Sequence, residues 1–316
     1  MRTIDRRGLM AGLATLASVS NSGRAWAQSP ALSLATAGAG SAFLPYGQGI
    51  AQVLTKSGIA IAIRESKGSN ENLDLVDASP GMMGATFLGS ALDALAGTGF
   101  AAGRKHANVR ALFPMYETAF MAAALASRGL STVKSLDGRK VGCGPAAGPA
   151  EDYFRAVAAI AGIKPIIVSG TPADQTRQLL AGEIDAFWQG AFVPIPSLVA
   201  ATSGADCMVF GLDDAEIAGM KKRFAFMADA AYPASAYRGQ KAGLKTVAAW
   251  NVVIAHKDLD EKTAYAITKA VMTAPDLSAA GPAAASTKPA NATKNTVVPY
   301  HPGAARALVE LGVKVG

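Results

Sequence analysis

Two runs of small residues are the places in this sequence where a ligand could meet the backbone: Gly38-Ala39-Gly40-Ser41 and Gly144 to Ala150. Each follows a short apolar stretch and precedes a stretch of helical character. A helix start aims free N–H groups and a partial positive charge at whatever lies before it, which favours a carboxylate or phosphate. Small side chains let such a group come close. The residues expected to hold it are Ala39, Gly40 and Ser41 in the first run and Gly148, Pro149 and Ala150 in the second. Ser41, Ser69, Asn70 and Gln189 add side-chain hydrogen bonds, with Gly190 beside them. Phe43, Phe87, Tyr116 and Trp188 are the aromatic residues expected at the same edge. Trp188 is marked out because it ends a strand and precedes Gln189-Gly190-Ala191.

Other chemistries lack their residues. Gly38-x-Gly40 opens like a dinucleotide fingerprint, but Phe43 stands where the third glycine belongs, and Arg64-Glu65 follows the second strand where a ribose-binding acid would end it. There is no G-x-S-x-G elbow and no H-E-x-x-H pair. Glu117, Glu151 and Asp152 can be named as acid–base candidates. Glu151-Asp152 is adequately explained by complementing the dipole of a first helical turn. His106, His256 and His301 lie far apart without nearby Cys or carboxylate at ligand spacing, so no metal site and no cofactor is expected. The formal charge is +7, of which four arginines and one aspartate in residues 1–27 account for +3, leaving +4. The remaining basic residues are scattered apart from Lys221-Lys222-Arg223, so no nucleic-acid footprint is present.

The elements that must position these residues alternate. Leu32 to Thr36 reads as a strand, Tyr46 to Lys56 as a helix and Ile59 to Ile63 as a strand. Ser69 or Asn70 is a candidate N-cap for a helix beginning at Glu71, and Met82 to Thr86 and Ser90 to Ala96 continue the alternation. The rhythm restarts at the strand Lys140 to Cys143, the helix Glu151 to Ala161, the strand Lys164 to Val168, the helix Ala173 to Ala181 and the strand Ile184 to Trp188. Two such starts predict an α/β protein with two mainly parallel-sheet lobes; one large doubly wound sheet is the alternative. Phe120 to Leu125 and Val247 to Ala255 read as crossings between lobes. The segment Pro275 to Asn295, rich in Ala, Pro, Ser and Thr, reads as a loose surface tail.

The N-terminus carries an address. Arg2, Arg6 and Arg7, an apolar stretch from Leu9 to Ser18, and Ala25-Trp26-Ala27 read as a signal peptide at residues 1–27, cleaved after Ala27. Its apolar stretch is shorter than the roughly 20 residues that a spanning helix needs, which disfavours a retained anchor. Asp5-Arg6-Arg7-Gly8-Leu9-Met10 is similar to the twin-arginine export motif, the general route being the alternative. The expected compartment is the periplasm.

Thr36-Ala37-Gly38 to Pro45-Tyr46-Gly47, Glu65 to Asn72, Gly97-Thr98-Gly99 and Ser135 to Val141 begin a series of further landmarks. Leu180 to Ala186, Tyr237 to Gln240, Tyr265 to Ala270 and His301 to Ala304 complete it, and it runs from Leu34 to Gly312. In order and spacing the series resembles the solute receptors of the TRAP-associated extracytoplasmic immunogenic (TAXI) type. The resemblance implies a type II periplasmic-binding-protein fold with a ligand cleft between its lobes, lobe I at 28–125 plus 247–316 and lobe II at 126–246. It implies a monomeric binding protein rather than an enzyme, whose partners are a small carboxylate and a TRAP membrane permease. An enzyme on the same scaffold, or a receptor signalling to a histidine kinase, are the alternatives. The strand order implied by the resemblance separates Cys143 from Cys207, so both are expected as free, buried thiols.

The chain departs from the TAXI pattern where the ligand would be held. Phe43, Phe87-Leu88-Gly89 and Ala147-Gly148-Pro149-Ala150 stand where that family carries polar residues. An apolar wall with few polar donors suits a monocarboxylate with an aliphatic or aromatic body better than glutamate.

Overall fold

The computed structural model describes residues 32–315, so the signal-peptide reading at residues 1–27 lies outside the described residues. The chain begins with β1 (Ser33–Ala35), α1 (Phe43–Lys56), β2 (Ala62–Arg64), α2 (Ser69–Ala78), β3 (Met82–Phe87) and α3 (Leu88–Ala96). β1 pairs in parallel with both β2 and β3, placing Leu34 between Ile63 and Met83. Next comes β4 (Val109–Leu125), a strand of 17 residues buried along almost its whole length. A strand buried in this way lacks the period-2 signal that betrays a half-exposed one.

The second half repeats the pattern. It contains β5 (Lys140–Gly142), α4 (Pro149–Ala161), β6 (Ile166–Val168), α5 (Pro172–Leu180), β7 (Ala186–Ala191), α6 (Pro196–Gly204), β8 (Cys207–Phe210), α7 (Asp214–Arg223) and β9 (Ala228–Tyr232). β5 pairs in parallel with β6 and β7. The return strand β10 (Leu244–His256) pairs antiparallel first with β9 and then with β3, and with β4 from Ala248 onward. α8 (Glu261–Met272) and α9 (Pro302–Glu310) close the chain.

Hydrogen bonding links all ten strands into one curled sheet, in the order β2-β1-β3-β10-β4-β7-β5-β6, with β8 on β4 and β9 on β10. β4 and β10 are the two strands that cross between the halves. On β4, residues from Ala119 onward pair with β7, and from Ala122 onward with β8 as well. Register shifts interrupt the β4–β10 ladder next to Pro114, which has no N–H to give it. The apolar residues gather into clusters around Leu34, Tyr46 and Ile50 in the first half and around Phe120, Phe154 and Trp188 in the second.

Two local expectations change. α2 begins at Ser69 and is capped by Gly68, at φ 105°, without a side-chain cap. The Ser69 hydroxyl instead accepts from the Phe87 N–H at 3.0 Å, joining the starts of α2 and α3. The segment Pro275 to Asn295 is a packed strap rather than a loose tail. Ala280, Ala283, Ala284, Thr287 and Ala292 are buried, and the Thr287 hydroxyl lies 2.7 Å from the Tyr46 hydroxyl while bonding to the Met115 carbonyl. Alanine there is core, because α1 approaches so closely that a Cβ on Gly49 would strike the backbone of Ala280. Cys143 and Cys207 are buried and unbonded to each other.

Candidate functional site: a cavity where the two halves meet

The parallel strands of both halves deliver their loops to one cavity of about 440 Å³. Its lining includes residues at the starts of four helices: Ala42-Phe43 at α1, Gly68-Ser69 at α2, Gly148-Pro149 at α4 and Thr171-Pro172 at α5. Pro at the first helical position of α4 and α5 costs no hydrogen bond, since that N–H has no partner inside the helix. Four positive helix ends around one space make a strong preference for negative charge. Among the described residues Lys67 is the one charged side chain in the lining, and no carboxylate joins it.

Buried polar groups hold the loops in place. The Gln175 carbonyl oxygen accepts from the Gly144 N–H at 2.8 Å, and its amide donates to the Val168 carbonyl at 2.9 Å. Gln189 donates to Gln175 in turn, at 3.4 Å. Glu151 in the first turn of α4 accepts from the Ala147 N–H and pairs with Arg155, so its charge is engaged on α4 and turned to loop support. A Cβ on Gly190 would strike the Phe120 ring, so glycine lets that ring lie against β7 and wall the cavity.

The crossing strands contribute a second kind of surface. Asn251 on β10 donates through Nδ2 to the Tyr116 carbonyl at 2.7 Å and to the Thr118 hydroxyl at 2.7 Å. Asn251 and Tyr116 both line the cavity, and both are buried in the protein. The Asn251 Oδ1 and the Tyr116 hydroxyl have no partner among the described residues. Burial, then the neighbouring Tyr46, raise the Tyr116 pKa well above that of free tyrosine, so its hydroxyl keeps its proton.

The sequence-selected residues divide. Ser41, Phe43, Ser69, Phe87, Tyr116, Gly148, Pro149, Ala150, Gln189 and Gly190 line the cavity. Ala39, Gly40 and Asn70 do not. Gly40 packs against the backbone of Ala173, and Asn70 donates to the Ala147 carbonyl at 2.6 Å, so both sit at the contact between the halves. Trp188 is also outside the cavity. Successive residues of a strand face opposite sides, and while Gln189 turns to the cavity, Trp188 turns into the core, stacked 5.8 Å from Phe120 and wholly buried.

Thr118, Asn251, Lys67 and Thr171 line the cavity without having been singled out. Asn251 had a signal, being the one hydrogen-bonding amide in the apolar run Val247 to Ala255. Thr171 had another, because Thr-Pro with Asp174 is a helix-start signature, and its hydroxyl does accept from the Asp174 N–H. Among the described residues no group of three or more His, Cys, Asp or Glu is placed to hold a metal ion. No helix among them is long and apolar enough to cross a membrane.

This architecture is that of the two-lobed periplasmic binding proteins. The periplasmic binding protein BugD superposes with a TM-score of 0.55 at 11% identity, over 89% of this chain and 93% of its own. MatC from Rhodopseudomonas palustris, solved with bound malate, gives 0.53 at 13% identity over 89% and 93%. Rpa4515 of R. palustris, solved with adipate, gives 0.53 at 13% identity over 78% and 84%. By sequence, the chain belongs to the NMT1-like family, which it matches over residues 34–312. No curated protein matches the sequence.

Proposed function

We propose that this protein is an extracytoplasmic solute receptor of the TAXI type, which binds a small organic acid in the cavity and delivers it to a TRAP-type secondary transporter. One observation carries the reading: four helix N-termini and Lys67 surround a mostly apolar cavity that contains no carboxylate. That the fold accommodates carboxylates elsewhere, as in MatC with malate and Rpa4515 with adipate, supports it. Among the described residues the lining also lacks histidine, cysteine and carboxylates, so no thiol and no carboxylate or imidazole base faces what the cavity holds, which favours binding over catalysis. The protein acts as a periplasmic monomer after removal of residues 1–27. Residues 28–125 plus 247–316 form one lobe and 126–246 the other, with the changes of strand partner at Ala119 on β4 and Ala248 on β10 as the hinge.

The ligand carries one negative charge. Phe43, Phe87, Phe120, Pro149 and Ala150 give the cavity an apolar wall, and a second carboxylate buried against it costs several kcal/mol without a partner. Isothermal titration of the mature protein with glutamate, 2-oxoglutarate and a panel of aliphatic and aromatic monocarboxylates tests this. The expected outcome is that a monocarboxylate binds at least about tenfold tighter than either diacid, a difference of about 1.4 kcal/mol. Tight glutamate binding with no response to monocarboxylates refutes it.

A further inference from the structure

Asn251 cannot turn its amide around. Its Nδ2 faces the Tyr116 carbonyl at 2.7 Å, and a carbonyl only accepts, so Nδ2 must be the atom on that side. The Thr118 hydroxyl at 2.7 Å receives the other amide proton. Oδ1 is thereby fixed on the opposite side of the amide, as an acceptor without a donor. The Tyr116 hydroxyl, on the strand beside it, is likewise without a partner. Asn251 and Tyr116 are 0% and 1% exposed, and both line the cavity. Both residues line the cavity, and buried polar atoms in native proteins are nearly always paired, so the two orphans point to a ligand that pairs them.

Building on the monocarboxylate reading, we infer that the ligand also carries an uncharged hydroxyl, which donates to Asn251 Oδ1 and accepts from the Tyr116 hydroxyl. A hydroxyl meets both demands at once, since its proton goes to Oδ1 and its oxygen takes the tyrosine proton. The helix starts hold the carboxylate, and the crossing strands read the hydroxyl. A ligand lacking that group leaves both protein atoms buried and unpaired, and a site of this kind discriminates strongly against such an analogue. The ligand class is a hydroxylated aliphatic or aromatic monocarboxylate.

The test uses matched pairs on the mature protein: 4-hydroxybenzoate against benzoate and 3-hydroxybutyrate against butyrate, each also as its primary amide. The expected result is that a hydroxylated acid binds roughly ten- to hundredfold tighter than its deoxy partner. Tyr116→Phe removes one partner and Asn251→Leu the other, and each brings that ratio below about threefold by weakening the hydroxylated member. Tyr116→Phe changes one buried atom, so the comparison survives even if Asn251→Leu fails to fold. Equal binding of the paired acids, or a ratio that persists in both variants, overturns the inference and leaves the monocarboxylate reading standing. Amides that bind as well as acids while keeping the hydroxyl ratio overturn the carboxylate reading alone. A panel in which no member binds overturns both.

Discussion

Trp188 carries an indole N–H with no hydrogen-bond partner among the described residues, enclosed between Phe120 at 5.8 Å and Phe154 at 5.6 Å. A buried, unpaired donor costs roughly 1–3 kcal/mol, which the packing of two aromatic neighbours must offset. Trp188→Phe removes the donor and keeps a ring in the stack. Its net destabilisation is expected below about 1.5 kcal/mol, against roughly 3–5 kcal/mol for Trp188→Ala, which also opens a void. Urea unfolding of both variants measures the difference. Ligand affinity of Trp188→Phe is expected to stay within about twofold of the parent, because the indole faces away from the cavity. A tenfold loss would mean that the stack positions Phe120 as cavity wall. Residue type alone did not separate Trp188 from Gln189, since the two are neighbours at the expected end of one strand. What separates them is strand parity, which becomes readable only once the register of β7 against β4 is known. Asn251 shows the converse: one amide in an apolar run is visible in sequence, but its meaning depends on Tyr116 and Thr118 standing beside it on another strand.

At the scale of elements, the strand–loop–helix alternation was legible in both halves because short strands and capped helices carry local signals. β4 was legible only in part. Its Val109 to Ala119 portion contains Pro114, Tyr116 and Glu117, which mask a strand whose partners lie on both sides. The strap from Pro275 to Asn295 was misread because alanine- and proline-rich composition looks the same in a loose tail and in a close-packed crossing over α1. The end of the chain offers a test of local chemistry. His301 caps α9: its Nδ1 accepts from the Gly303 N–H at 3.3 Å, and its Nε2 donates to the Lys257 carbonyl at 3.1 Å. Those bonds require the neutral ring with its proton on Nε2. Burial lowers the His301 pKa, and a cation at a helix N-terminus is opposed by the dipole as well. The unfolded chain takes up this proton near pH 6.5 and the folded chain only at lower pH. The stabilisation is therefore present above about pH 6.5 and is lost as pH falls through the lowered folded value. His301→Asn keeps an acceptor at the cap without titrating. Its melting temperature is expected to fall less between pH 7 and pH 5 than that of the parent protein, as followed by circular dichroism.

At the scale of the whole molecule, the two halves touch across the cavity. Asn70 on α2 reaches the Ala147 carbonyl, Phe87 lies 5.3 Å from Tyr153 and 5.9 Å from Phe226, and Gly40 meets Ala173. Ala147 is the one non-glycine residue with positive φ among the described residues, at 55°, and it is the residue whose carbonyl Asn70 engages. Holding alanine there costs on the order of 1 kcal/mol, so the loop is shaped for this contact against its local preference.

Gly40 isolates what the contact does. Its φ is 82°, and a Cβ there would lie 2.8 Å from the backbone nitrogen of Ala173, which cannot yield as a flexible side chain can. Gly40→Ala thus carries two penalties, a left-handed alanine and an obstruction between the halves. Gly58 has nearly the same φ, 78°, with nothing within 4 Å of the added methyl, so Gly58→Ala carries only the first. Both variants are expected to lose about 1–2 kcal/mol of stability from the backbone term. If binding requires the halves to meet, only Gly40→Ala also loses affinity, by about tenfold or more, since the binding-competent state becomes a minor one. Small-angle scattering at saturating ligand should then show Gly40→Ala more extended than Gly58→Ala. Equal affinities in the two variants would mean that the cavity holds its ligand without this contact, and that the loop at Gly40 serves only to turn the chain from β1 into α1.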